Sequence, residues 1–198
     1  MKKKFITLLC IISLLVPWSD IGAQNVLFSE GFEGNAMPTG WRTEGTVTDA
    51  LNNWNPSNNT AYEGSYSLRF NSYSAGNGQT GILYTCPYTV SSSDLVVSFW
   101  VKNPTGGPLS IYISTDSGAT YLSNPLSTNI ENLPDWTQFS YSLSSYVGQK
   151  VTFVFHSVSN YGYGDANHYL DNFVIREAAT CAKPVNLLAT SINQTSAN

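Results

Sequence analysis

The segment His168–Ile175 reads HYLDNFVI, and its alternation is that of a β-strand. Strict alternation puts Tyr169, Asp171, Phe173 and Ile175 on one face. A carboxylate among core residues costs several kcal/mol or is driven neutral, so Asp171 calls for a partner.

Other runs share the period. In DLVVSFWV (94–101), Leu95, Val97, Phe99 and Val101 fall on one face; in KVTFVFHS (150–157), Val151, Phe153 and Phe155 do. In LSIYIST (109–115), Leu109, Ile111 and Ile113 oppose Ser110, Tyr112 and Ser114. With Val26–Ser29, Tyr66–Asn71, Gly81–Tyr84 and Trp136–Leu143 they make eight strand-like runs. Turn chemistry separates them, as in NPTGGP, TDSGA and YVGQ, and helix signals are almost absent. The pattern predicts an all-β fold: two packed antiparallel sheets, a β-sandwich of jelly-roll type.

The ends read differently. Lys2, Lys3 and Lys4 precede the twelve-residue apolar run Phe5–Val16, and IGAQ follows, with Ala23 a suitable last residue before cleavage. The run is shorter than the roughly 20 residues that span a bilayer. Residues 1–23 are therefore expected to be a secretory signal peptide, making the protein secreted or cell-surface with no transmembrane segment. Residues 24–177 are expected to form the jelly-roll domain. Residues 178–198 read as a linker and then the truncated start of a fibronectin type III module, with Pro184 ahead of an alternating strand; a frayed tail is the alternative.

Losing three lysines and Asp20 with the leader leaves six basic and twelve acidic side chains, taking the net charge from −4 to −6. That opposes nucleic acid and anionic membranes as partners and suits cation binding. Charged residues make up 11% of the chain and aromatics 13%, a balance that excludes disorder. Cys86 and Cys181 remain after cleavage; secretion permits a bond between them, without establishing one.

Two further acids lie near the start of the mature chain, Glu30 and Glu33 in VLFSEGFEG. If the first and last strands pair, Glu30 or Glu33 approaches Asp171, and converging carboxylates repel unless a cation joins them. The expected cofactor is a structural Ca2+ held by Glu30, Glu33 and Asp171, with Asp165 and the carbonyls near Glu63–Ser65 as weaker additional ligands. The alternative is that Asp171 accepts backbone N–H bonds from a neighbouring loop while Glu30 and Glu33 face water.

No catalytic residue is assigned. GNGQTG (76–81) matches a dinucleotide-loop pattern, but a strand follows where a helix is required. STDSGATY (114–121) has the Asp-box pattern and reads as a structural hairpin, with Asp116 capping the turn, Gly118 at positive φ and Tyr121 packed beneath. His156 and His168 are the only histidines, and no nucleophile elbow accompanies them. Trp41, Trp54, Tyr62, Tyr161 and Tyr163 fall in loops or at strand ends, where they could stack on a sugar or cover an end of the sandwich. Trp100 and Trp136 lie within strands and read as core or sheet-surface residues.

The order of FSEGFEGNAMPTGW, NNW, YEGSYSLRF, LSIYISTDSGATY and GYGDANHYLDNFVI resembles MAM-like, galactose-binding-like jelly-roll domains over roughly Val26–Arg176. It is most similar to the cleaved-adhesin or choice-of-anchor modules of secreted bacterial adhesins and haemagglutinin-protease polyproteins. The resemblance implies a non-catalytic adhesion module that binds calcium structurally and contacts an extracellular protein or glycan. It matches Glu33 in FE and Asp171 in LDNF to acidic positions of the family. Asn172 stands where relatives often carry a second Asp, and the cysteines of animal MAM domains are absent. The alternative function is a carbohydrate-binding accessory domain of a larger secreted hydrolase or protease.

Overall fold

The computed structural model describes residues 24–162 and 165–179. Residues 1–23, expected to be a leader, and residues 180–198, which hold Cys181 and most of the expected linker and fibronectin-like start, lie outside the described residues. The chain runs β1 (Val26–Glu30), β2 (Arg42–Gly45), β3 (Asn55–Ser57), β4 (Ser67–Phe70), β5 (Thr80–Tyr84), β6 (Tyr88–Thr89), β7 (Leu95–Asn103), β8 (Leu109–Ser114), β9 (Pro125–Ile130), β10 (Leu133–Ser142), β11 (Lys150–Val158) and β12 (His168–Glu177). One 3-10 turn, Ser144–Tyr146, precedes β11.

Every pairing is antiparallel, and the strands form two six-stranded sheets. The first has the order β10-β7-β12-β4-β3, with β1 also on β12. The second has the order β2-β5-β11-β8-β9, with β6 also on β11. The protein is an all-β jelly-roll sandwich, as the alternating runs predict. No helix among the described residues is long and apolar enough to cross a membrane.

The inward faces meet as the periodicity dictates. Leu68, Phe70, Val97, Phe99, Val101 and Leu170 of the first sheet pack on Leu83, Leu109, Ile111, Ile113, Val151, Phe153 and Phe155 of the second. Aromatic rings lock the sheets: Phe99 meets Phe155 edge-on at 5.0 Å, and Phe153 meets Phe173 at 5.4 Å. Burying one such ring stabilises the fold by roughly 1.5–3 kcal/mol.

Strand β12 organises the first sheet. On one side it pairs with β7 through Tyr169↔Lys102, Leu170↔Val101 and Asp171↔Trp100; the register then shifts and resumes at Val174↔Ser98. On the other side β4 takes His168–Leu170, and β1 takes Phe173–Arg176 with Glu30 opposite Phe173. First and last strands therefore pair. Asp171 and Asn172 fall where one edge partner ends and the other begins, and Asn172 bulges out with φ +46°.

The bulge corrects the one-face reading of HYLDNFVI. His168 and Leu170 point into the core, and so do Phe173 and Ile175, because the extra residue reverses the parity. Tyr169 and Asp171 point outward, beside Lys102 and Trp100 of β7. The acid lies on the outer face of the sheet, yet it is fully buried.

Candidate functional site: a carboxylate-held aromatic shelf

What covers Asp171 is the loop that leads into β4. Asp171 Oδ2 accepts from the N–H groups of Tyr62 (2.7 Å) and Glu63 (3.2 Å), and Oδ1 from its neighbour Asn172 (2.6 Å). Glu33, just beyond β1, accepts from Ser65 and from Tyr66, at 3.0 Å each. Four N–H groups of YEGSY thus point at two carboxylates, a concave anion-holding arrangement of backbone. Gly64 sits between them at φ +70°, and a β-carbon there would lie 2.4 Å from Glu33 Oε1. Only glycine lets the loop pass this close. Asn172 Nδ2 adds a bond to Glu63 Oε2 (3.0 Å).

Burial pushes the Asp171 carboxyl above its usual range, three backbone N–H bonds pull it down, and the charge of Glu33 pushes it up again. The structure brings Glu33 and Asp171 to one loop. Glu30 does not join them: its Oε1 accepts from the N–H of Phe32 (2.6 Å) and closes its own turn. Among the described residues no three His, Cys, Asp or Glu side chains gather as a metal-holding group. Glu33 and Asp171 are hard oxygen donors of the kind Ca2+ takes, but a full shell of six to eight oxygens would need loop carbonyls and water besides.

The same loop carries Tyr62 outward. Its ring lies flat on Trp100, 3.7 Å between centroids and 13° from parallel. Trp136 stands across it at 6.3 Å and 69°, and Tyr169 lies beneath Trp136 at 6.2 Å. Tyr62 is 42% exposed, whereas Tyr169 is buried. The result is a right-angled aromatic shelf on the outer face of the first sheet. Trp100 supports it, and its exposed floor is Tyr62. An exposed aromatic face backed by rigid strands suits stacking against the apolar side of a flat, hydroxylated ring.

Of the other aromatics that could stack on a sugar or cover an end of the sandwich, Trp41 and Trp54 directly precede β2 and β3 and are buried in the core, which corrects the sugar-stacking expectation for both. Trp54 is packed between Phe70 and Phe155 with its indole N–H on the Gly81 carbonyl (3.3 Å). Trp41 is wedged against Phe32 and Phe173. Neither presents a ring face to solvent. Tyr161 is 60% exposed in the β11–β12 loop, without a ring partner among the described residues, and Tyr163 lies outside them. Trp100 and Trp136 are the shelf residues that sequence reasoning leaves undecided. The signal for Trp100 is parity: it stands opposite Leu95, Val97, Phe99 and Val101, on a face that should be polar.

The second sheet's outer face carries the Asp-box hairpin. Asp116 accepts from Ser114 Oγ (2.6 Å) and from Thr120, which hold its carboxyl at about 2. Gly118 adopts φ +92°, and Tyr121 packs on Tyr84 and Tyr112. The motif is a structural hairpin here.

No family model matches the chain, and no curated protein sequence matches it. Solved structures do. The K1 cleaved adhesin domain of Lys-gingipain from Porphyromonas gingivalis W83 superposes with a TM-score of 0.60 at 18% identity, covering 76% of this chain and 97% of that one. TmCBM61, solved with beta-1,4-galactotriose, gives 0.54 at 16%, covering 74% and 94%. The C-terminal family 22 carbohydrate binding module of Clostridium thermocellum Xyn10B gives 0.52 at 17%, covering 81% and 99%. At these identities the likeness is one of fold.

Proposed function

We propose that this protein is a secreted, non-catalytic adhesion module that binds an extracellular glycan on the outer face of its first sheet. The observation that carries the reading is the shelf: Tyr62 stacked on Trp100 and walled by Trp136, on strands that pack the core from behind. The similarity in fold to an adhesin domain and to carbohydrate-binding modules supports it. The leader-like residues 1–23 support secretion.

The module is stabilised by Ca2+ at Glu33 and Asp171. Both carboxylates press on one loop, and a divalent ion bound there would offset their mutual repulsion.

A glycan array tests the first part. The purified chain is expected to bind at least one glycan, and Tyr62→Ala and Trp136→Ala are each expected to abolish binding with melting temperature little changed. Binding that survives both substitutions would sink the reading.

A further inference from the structure

The described chain is acidic, and Asp171, Glu33 and Glu63 lie at the shelf, yet three of the chain's cations gather on the same face. The five basic residues of the described chain are Arg42, Arg69, Lys102, Lys150 and Arg176. Arg42 is spent in an ion pair with Glu44 on the second sheet. Arg69, Lys102 and Arg176 all fall on the outer face of the first sheet by register, and none has an ion pair among the described residues. Arg69 and Lys102 flank Tyr169 from either side, Arg69↔Tyr169 on β4 and Tyr169↔Lys102 on β7. Strand spacing puts their backbones about 10 Å apart. Lys102 is two residues from Trp100 on the same face, so the cations border the shelf.

Arg69 is half-buried, and its Nε is buried without a partner. Arg176 leaves Nη1 in the same condition. A buried guanidinium donor without an acceptor costs free energy, so both arginines sit on this face with hydrogen-bonding capacity unused. Of the acids nearby, Asp171 is taken up by three backbone N–H groups, and Asp165 Oδ1 is 3.5 Å from the Tyr169 hydroxyl and 3.3 Å from Asn167 Nδ2. They leave the guanidinium and the ammonium unpaired.

We infer that the ligand is an acidic glycan, whose sugar ring stacks on Tyr62 while its carboxylate or sulfate is taken by Arg69 and Lys102. This deepens the glycan reading and rests on it. Arginine's planar fork matches a carboxylate in two parallel bonds, and lysine supplies a point charge beside it. Neutral sugars would satisfy the aromatic floor and leave both cations unused.

Binding to immobilised oligogalacturonate, oligoalginate and a heparin-derived hexasaccharide separates the possibilities, with the methyl-esterified uronates and neutral galacto- and xylo-oligosaccharides alongside. At least one acidic probe is expected to bind about tenfold or more tighter than its uncharged counterpart. Arg69→Gln and Lys102→Gln should each bring it down towards that counterpart, with neutral binding unchanged. The two variants act at different strands, so a folding defect in one leaves the other as the test. Equal binding of acid and ester, lost in Tyr62→Ala, would overturn the acidic preference and leave the glycan reading standing. Acid binding indifferent to Tyr62→Ala would overturn the inference as mere charge attraction. No binding to any probe, acidic or neutral, would remove the glycan reading and this inference together.

Discussion

Asp171 holds Tyr62 by the backbone, 2.7 Å from carboxylate to N–H, while the ring of Tyr62 rests on Trp100, the residue paired with Asp171 across the sheet. A buried acid and an exposed aromatic are therefore two ends of one device. The last strand sets the position of the loop, and the loop sets the ring. Replacing Asp171 with Ala strands N–H groups of Tyr62, Glu63 and Asn172 at once. Bonds to a charged acceptor contribute about 1.5–3 kcal/mol each, though not additively. Asp171→Ala is expected to lower stability by about 3 kcal/mol and to erase the near-ultraviolet dichroism of the Tyr62–Trp100 stack. Retention of that signal would separate loop from acid.

Chelation addresses the proposed ion. At a hundredfold excess over its dissociation constant, Ca2+ would add about 2.7 kcal/mol. EDTA should lower the melting temperature of the intact chain, and Glu33→Ala should remove the response. A melting curve indifferent to both would leave the N–H bonds as the whole explanation of the two acids.

His168 should give the fold an acid limit. It is fully buried, with Nδ1 2.7 Å from Ser157 Oγ, and burial lowers its pKa from 6.5 to about 3. The unfolded chain binds a proton near pH 6.5 and the folded one does not, so stability is present above that pH. It is lost as pH falls from there towards 3, at up to about 1.4 kcal/mol per unit. Chemical denaturation of the wild type and His168→Gln at pH 7 and pH 4.5 should show a shallower pH dependence in the variant.

Gly118 is irreplaceable in the Asp-box turn. Its φ of +92° disfavours any side chain, and a β-carbon would come within 2.6 Å of the Tyr84 ring. Gly118→Ala is expected to cost roughly 1–3 kcal/mol and to displace Tyr121, read as a lower denaturation midpoint.

Gly81 is needed for a different reason. It lies in β5 against the opposite sheet, where a β-carbon would stand 2.3 Å from the Phe70 ring. Gly81→Ala should overpack the core by about 1–3 kcal/mol or more, and Phe70→Leu in the same chain should recover part of that loss.

The eight runs legible in the sequence are strands whose inward residues reach the core; six have a neighbour on each side, and β1 and β10 lie at sheet margins but still pack Phe28, Phe139 and Tyr141 against it. β2 (RTEG), β3 (NPS) and β9 (PLSTNI) escape the same reading because they are edge strands with few core contacts to impose a period. Asp171 is visible as an anomaly, but its explanation lies in Asn172, whose left-handed backbone reverses the parity of everything after it. Tyr62 is visible as a loop aromatic. Its support by Trp100 depends on the register of β12 with β7 and on the bend of the loop at Gly64, and neither is local in sequence.

The pairing of β1 with β12 also governs how the module meets traction. Val26 lies opposite Arg176, so both ends of the described fold leave from the same corner of the sandwich. Tension applied between those ends loads the ladder from Val26 onward, one rung after another, in a peeling geometry rather than in shear. Such a clasp opens at low force, and Glu30 and then Glu33 lie next along the peeled strand. A tether pulled through these termini would take Glu33 away from the N–H groups of Ser65 and Tyr66 first, leaving Asp171 as the remaining hold on the loop and its ring.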